Sequence, residues 1–308
     1  MKKIFITGEE GVIPKFMTKI INDSDSFCVV EYPMTLKTHN SFAIRNYELD
    51  FTSNNFEACI KANKPDIIIH SGAYVGTDFC ANATKEACLS NVYGTKNIVD
   101  ICNKYDIDLV YLSTTAIFDP ESYSQAYPIT ENSRINPKTY YGITKYAGEL
   151  TVRNECKTKW LVVRPVFGFS EFPHDLHSAL TKYIYASYND VELTILLDKK
   201  INKSYTHAKN IAACILNIVK DEKWYSCFNI GKHYLHSRNW YSMFAIFESL
   251  GLTISNKITF IPDKDYLHWH NIDNSKVREY FTDNTFVDDV SNVIDSVKEN
   301  SNIKPYWL

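Results

Sequence analysis

No stretch of the 308-residue chain is apolar for long enough to read as a membrane span. The start, Met1 to Gly8, runs straight into a strand pattern. It has neither the apolar core nor the small-residue cleavage site of a secretory signal, so a cytoplasmic enzyme without a membrane partner is expected. Basic excess is also missing. Lys and Arg total 33 against 36 Asp and Glu, a net charge of -3 with no basic stripe, which argues against nucleic acid as a partner. The eight cysteines form no Cys-x-x-Cys pair, and their scatter fits neither a zinc site nor a small disulfide scaffold. Reduced, mostly buried thiols are the expectation. No His, Asp or Glu grouping has metal-ligand spacing, so no metal is expected. There is no internal repeat and no low-complexity segment.

What is present is ordinary globular material, 45% hydrophobic, with a high aromatic share of 14% that suits a filled core and stacking surfaces in a cleft. The first part of the chain alternates short apolar runs with longer amphipathic ones. Strands are expected at Lys3–Thr7, Phe27–Glu31, Tyr47–Leu49, Asp66–His70, Leu109–Ser113 and Trp160–Arg164. Helices are expected from the first glycine turn to about Asn22, then at Asn54–Ala62, Asn82–Lys104 and Lys138–Glu155. Strands alternating with helices imply parallel strands and right-handed crossovers, hence a doubly wound, Rossmann-type α/β sheet over residues 1–165. Beyond Pro165 the rhythm loosens. Helices at His174–Ala186, Ala208–Lys220, Ser237–Leu250 and Val287–Glu299, with strands at Glu192–Leu196 and Cys227–Ile230, read as a smaller mixed α/β substrate domain over residues 166–308. A cleft between the halves is the default ligand site.

Strand one ends in Thr7-Gly8-Glu9-Glu10-Gly11-Val12-Ile13-Pro14. A glycine turn between a first strand and a helix lets the backbone approach a pyrophosphate, with helix N–H groups and the dipole facing it. Gly8, Gly11, Val12 and Ile13 are therefore candidate cofactor contacts. Pro14 stands where a third small residue would let helix and sheet pack closely, though proline is tolerated in a first helical turn. Glu31, about 20 residues on, is placed to accept from a ribose diol. Together with Glu9 and Glu10, which oppose an added 2′-phosphate, it favours NAD(H) over NADP(H).

Tyr141-Gly142-Ile143-Thr144-Lys145 places a phenol and an ammonium on one helical face. The ammonium is expected to lower the phenol's pKa from about 10, making it able to exchange a proton with an alcohol while hydride moves to or from a nicotinamide. With 21 tyrosines in the chain, the spacing arises about twice by chance, so context has to carry it.

That context includes Lys64-Pro65-Asp66-Ile67-Ile68-Ile69-His70-Ser71-Gly72-Ala73, Asn91-Val92-Tyr93-Gly94-Thr95-Lys96-Asn97 and Leu112-Ser113-Thr114-Thr115-Ala116-Ile117-Phe118. It continues with Pro137 to Glu149, Val163-Arg164-Pro165, Tyr205 to Ala212 and Phe228-Asn229-Ile230-Gly231. Taken in order, these segments resemble the extended short-chain dehydrogenase/reductases that act on nucleotide sugars, and most of all the dTDP-4-dehydrorhamnose reductase branch. The resemblance implies Tyr141 as acid/base, Lys145 as its activator and Thr114 as the hydroxyl that bonds the reacting oxygen. It places Asp50 and Phe51 at the adenine, Gly72, Ala73 and Tyr74 on the cofactor floor with Ser113, and Pro165 and Val166 near the nicotinamide carboxamide. Thr115, His174, Lys203 and Trp269 fall on the substrate side, with Lys203 offering charge without the bidentate fork of an arginine. It also implies a homodimer built through Asn82–Lys104 and Lys138–Glu155.

Departures narrow the chemistry. Dehydratases of this group carry Asp and Glu directly after the catalytic Thr, and here those positions are Thr115 and Ala116. Reduction of a 4-keto nucleotide deoxysugar is expected, with 4-epimerisation also open. His174 and His177 could carry protons, but exposed helix histidines are the plainer reading; Trp269, flanked by His268 and His270, could stack on a sugar or fill a core. A non-catalytic cofactor-binding subunit is the competing class, resting on Pro14, Glu9 and Glu10.

Overall fold

The computed structural model describes residues 1–29, 51, 54–119, 128–166, 168–171, 178–196, 204–232, 240–253, 255–261 and 272–300. The expected strand Tyr47–Leu49 and the residues Glu31, Asp50, His174, His177, Lys203, His268, Trp269 and His270 lie outside them.

Strands β1 (Lys2–Thr7), β2 (Phe27–Val29), β3 (Ile67–His70), β4 (Asp108–Leu112), β5 (Trp160–Pro165) and β9 (Ser226–Ile230) form a sheet in the order β2-β1-β3-β4-β5-β9. The pairs β1–β2, β1–β3, β3–β4 and β4–β5 are parallel. Parallel strands covered on both faces are apolar throughout, and Ile4, Phe5, Ile6, Ile67, Ile68, Ile69, Leu109, Val110 and Tyr111 are buried accordingly. Phe5, Ile68, Leu109, Tyr111 and Val162 cluster with Phe56 and Ile60 of α2 (Asn54–Asn63), Ile98, Val99 and Cys102 of α5 (Thr95–Tyr105) and Val152 of α6 (Tyr140–Glu155). The expected doubly wound α/β architecture is what the chain forms.

Because β1 has β2 on one side and β3 on the other, the chain reverses its direction of travel across the sheet at β1. Ligands of open α/β sheets bind at such a switch, beyond the carboxyl ends of the strands. Thr7-Gly8 and His70-Ser71-Gly72 leave the sheet at that point.

The long helix expected over Asn82–Lys104 differs in detail. A short α3 (Thr77–Asn82) precedes α4 (Thr84–Cys88), a π-helical turn (Leu89–Gly94) and α5. Helix α6 starts two residues later than the expected Lys138, because extended Thr139 caps it by accepting from the Gly142 N–H at 3.1 Å.

Residues 1–117, 135–164 and 215–228 make one compact unit, and residues 118–134, 165–214 and 229–308 a second. The second holds parallel pairs β6 (Gly168–Phe169) with β8 (Thr206–His207), and β7 (Leu193–Leu196) with β10 (Ile258–Ile261). Ser178 caps α7 (Ala179–Asn189), so this helix begins and ends later than the expected His174–Ala186. Its core is aromatic. Trp240, at the head of α9 (Trp240–Ser249), lies 5.1 Å from Tyr183 and 5.0 Å from Phe260, ring centre to ring centre, while Tyr183 stacks on Phe247 at 5.2 Å. A reciprocal capping box between Thr285 and Asp288 starts α10 (Phe286–Glu299).

Candidate active site

At the carboxyl end of β1, Gly8 adopts φ +69°, and a Cβ there would sit 2.6 Å from the Gly72 Cα. Only glycine satisfies both conditions, so the turns after β1 and β3 touch backbone to backbone. Gly11 donates its N–H to the Gly8 carbonyl at 2.9 Å and begins α1 (Val12–Asn22) in extended conformation, with no side-chain cap. Gly8 and Gly11 are exposed, Val12 and Ile13 half-buried, and no acid stands in the first turn of the helix. An uncapped, solvent-facing helix start of this kind has backbone N–H groups free to donate to a phosphate oxygen. Pro14 is buried against Gly11, and Glu10 turns to Lys15 at 2.9 Å. Phe51 walls the other side, its Cε1 2.6 Å from where a Gly72 Cβ would be. These residues fit a dinucleotide's phosphates and one face of its base.

Thr114 and Tyr141 meet because of a second close approach. The Ala116 carbonyl lies against the α-carbon of Gly142, where a Cβ would collide with it. This holds the short 3-10 turn Thr115–Ile117 on the first turn of α6. The Thr114 hydroxyl accepts from the Ala116 N–H at 3.1 Å and hydrogen bonds the Tyr141 phenol. Burial pushes that phenol's pKa up, with the Cys80 thiol adding to the rise and the Thr114 bond opposing it. Lys145 is 2% exposed, its ammonium 4.2 Å from the centre of the Tyr111 ring. Burial lowers its pKa to about 7, against the pull of Glu149 and Cys80. The expected lowering of the tyrosine by the lysine is not what the chain shows: burial drives each group toward its neutral form, and Lys145 is not among the causes of the Tyr141 shift.

Asn91, in the π-helical turn, was not singled out from the sequence. Its Oδ1 accepts from the Tyr74 N–H at 2.7 Å, and its Nδ2 donates to the Tyr74 carbonyl at 2.9 Å and to the Thr144 hydroxyl at 3.0 Å. Asn91 is 1% exposed, and the available signal was an amide at the head of the Asn91–Asn97 motif on a helix that covers the sheet. Beneath α6, Glu149 accepts from Arg164 Nε at 3.0 Å and from the Ser113 hydroxyl at 3.1 Å. The Ser113 hydroxyl, which the resemblance puts on the cofactor floor, is thus bonded to Glu149. Thr115 is 3% exposed, and Ala73 and Tyr74 are half-buried. Pro165 and Val166 belong to the second unit, where the Val166 N–H donates to the Ile230 carbonyl at 3.0 Å.

A family model described as the RmlD substrate binding domain matches residues 1–266. The chain belongs to this family. Among curated relatives of the RmlD-family chain, the dTDP-D-glucose 4,6-dehydratase of Dictyostelium discoideum is 24% identical over 258 residues, 75% of this chain and 58% of that protein. Little more than half of that relative is thus spanned. Two solved structures show the same fold from end to end. The dTDP-4-dehydrorhamnose reductase of Bacillus anthracis in complex with NADP has a TM-score of 0.75 at 18% identity, covering 97% of this chain and 98% of that one. The UDP-glucuronic acid 4-epimerase of Bacillus cereus with UDP-glucuronic acid and NAD has a TM-score of 0.77 at 18% identity, covering 97% and 99%. Membership of the RmlD family therefore bears out the resemblance read from the motifs, while its relatives carry three different reactions.

Among the described residues, no helix is long and apolar enough to cross a membrane, and no three His, Cys, Asp or Glu side chains gather to hold a metal ion. All eight cysteines are free, but only Cys80, Cys102 and Cys214 are buried and the other five are half-buried, so the expectation of mostly buried thiols was too strong.

Lys145 gives a pH prediction for the RmlD-family fold. Its folded pKa of about 7 lies below the unfolded value of 10.5, so between these limits the unfolded chain carries a proton that the folded chain lacks. Stability from this group rises with pH across that window. The buried thiols, raised by desolvation, push the other way as pH climbs toward their unfolded range, so the difference between wild type and Lys145→Met isolates the lysine. Urea unfolding should show wild type gaining about 2 kcal/mol on the variant between pH 7 and 9. A constant difference would contradict the burial argument.

Proposed function

We propose that the chain is a nicotinamide-dependent oxidoreductase that reduces the 4-keto group of a nucleotide-activated deoxysugar. One observation carries the reading: the Thr114–Tyr141 hydrogen bond, with Lys145 one turn along the same helix, beside a glycine turn suited to a dinucleotide's phosphates. When bound, the nicotinamide supplies hydride to the carbonyl carbon. Tyr141 gives its phenolic proton to the carbonyl oxygen, and the Thr114 hydroxyl donates a hydrogen bond to that same oxygen. A phenol kept protonated by burial is suited to the donor role in this direction. The resulting phenolate is offset by Lys145, whose pKa of about 7 lets it hold or release a proton near neutrality.

Thr115 and Ala116 supply no carboxylate, so the two positions where dehydratases of this group carry their acid and base lack both. For the substrate, Thr115, His174, Lys203 and Trp269 remain the assigned contacts, and Asp50, Phe51, Gly72, Ala73 and Tyr74, with Pro165 and Val166, those for the cofactor. Glu31 supports NAD(H) over NADP(H). A 4-epimerase uses the same three residues and is the second reading, favoured by the match to an epimerase fold.

Tyr141→Phe should bind NADH as wild type does, by fluorescence titration, and lose at least about a thousandfold in turnover of a nucleotide 4-keto-sugar. Unchanged turnover would overturn the assignment, and wild type that binds NADH or NADPH but turns over no nucleotide 4-keto-sugar would favour the non-catalytic cofactor-binding reading. A homodimer is proposed through the face bearing Leu89, Tyr93, Ile143 and Leu150, which are 41%, 64%, 48% and 38% exposed. Light scattering should give a dimer mass for wild type and a monomer mass for Tyr93→Glu; a monomeric wild type would contradict it.

A further inference from the structure

His70 ends β3 fully buried, between the ring of Phe51 at 4.9 Å and that of Tyr111 at 5.8 Å. Its Nδ1 is 2.8 Å from the Thr7 hydroxyl and its Nε2 is 3.2 Å from the Thr95 hydroxyl. The direction of each bond follows from the neighbours. Thr95 gives its hydroxyl proton to the Asn91 carbonyl at 2.7 Å, so toward His70 its oxygen accepts, and Nε2 carries the proton. Nδ1 is then an acceptor and takes the Thr7 proton, while the Thr7 oxygen accepts from the Gly72 N–H at 3.0 Å. One imidazole thus closes a directed path: Gly72 to Thr7 to His70 on one side, His70 to Thr95 to the Asn91 backbone on the other. The first arm ends in the turn where Gly8 meets Gly72. The second ends at Asn91, whose side chain holds the Tyr74 backbone and Thr144 of α6. Burial, with the nearby Lys145 charge, lowers the imidazole pKa to about 3, so the neutral form this path requires persists through the physiological range.

We propose that His70 is a positioning residue that fixes the distance between the cofactor turn and the catalytic helix, holding Thr7–Gly72 through Nδ1 and Thr95–Asn91 through Nε2. The proposal rests on the reading of these two elements as cofactor site and catalytic helix. It differs from a space-filling role because the two arms leave from different atoms and can be cut separately.

His70→Asn keeps an acceptor near the Nδ1 position and loses the reach to Thr95. His70→Gln reaches the Nε2 position and gives up the bond to Thr7. His70→Phe keeps the ring packing and loses both. Amide hydrogen exchange on the full-length chain should show faster exchange over residues 89–95 in His70→Asn with residues 71–74 unchanged, and the reverse in His70→Gln. NADH should bind His70→Asn as it binds wild type and His70→Gln about tenfold more weakly. His70→Phe should loosen both segments. The proposal is overturned if both segments quicken together in each single-arm variant, or if His70→Phe, still folded, leaves both unchanged. Should the split appear in exchange while wild type binds no NADH, the cofactor reading fails and the positioning role of His70 in the fold stands.

Discussion

The carbonyl of Ala116 presses on the α-carbon of Gly142, and any side chain at that position would have to push the two apart. That contact ties the turn leaving β4 to the first turn of α6, and it does so at the level of backbone, where rotamer changes cannot relieve it. Thr114 precedes the contact and Tyr141 adjoins it, so their hydrogen bond follows from how closely two pieces of main chain approach. Gly8 against Gly72 does the same for the ends of β1 and β3. The site is thus laid out by two backbone contacts that only glycine permits, and the reactive side chains hang from them.

Burial then sets the chemistry. A lysine over an aromatic face, a histidine between two rings and a phenol capped by a threonine have all left water, and desolvation dominates each of their pKa shifts. Lys145 and His70 are pushed down while Tyr141 is pushed up. The polar exceptions are paired. Glu149 answers Arg164 and Ser113, and Asn91 spends its side chain on Tyr74 and Thr144. A region holding this many buried polar groups is costly to build, and each bond inside it has little freedom to be elsewhere.

Much of this was legible from the sequence. Apolar runs alternating with amphipathic ones carried the parallel sheet, because strands buried on both faces leave that pattern, and the i, i+4 spacing of Tyr141 and Lys145 carried the helix face. The π-helical turn over Leu89–Gly94 was not legible, since inserting one wider turn barely disturbs the apolar periodicity around it. Nor was the fate of Ser113, which depends on a glutamate 36 positions away, or the path through His70, whose partners stand 63 and 25 positions off. The direction of the Tyr141 shift was misjudged for a related reason. Spacing reports which groups are near each other but not how dry their surroundings are.

The dehydratase, reductase and epimerase relatives share the fold, so side chains and not architecture distinguish their reactions; Thr115 and Ala116 bear on dehydration alone, and the proposed reduction is told from epimerisation by where the hydride ends. The most direct test follows deuterium from the 4-position of labelled NADH, with the protein and a nucleotide 4-keto-sugar, by NMR of the sugar. Deuterium should appear at the sugar C4 with one equivalent of oxidised cofactor released. No label at C4, or an inverted C4 with no net oxidation of cofactor, would contradict the account.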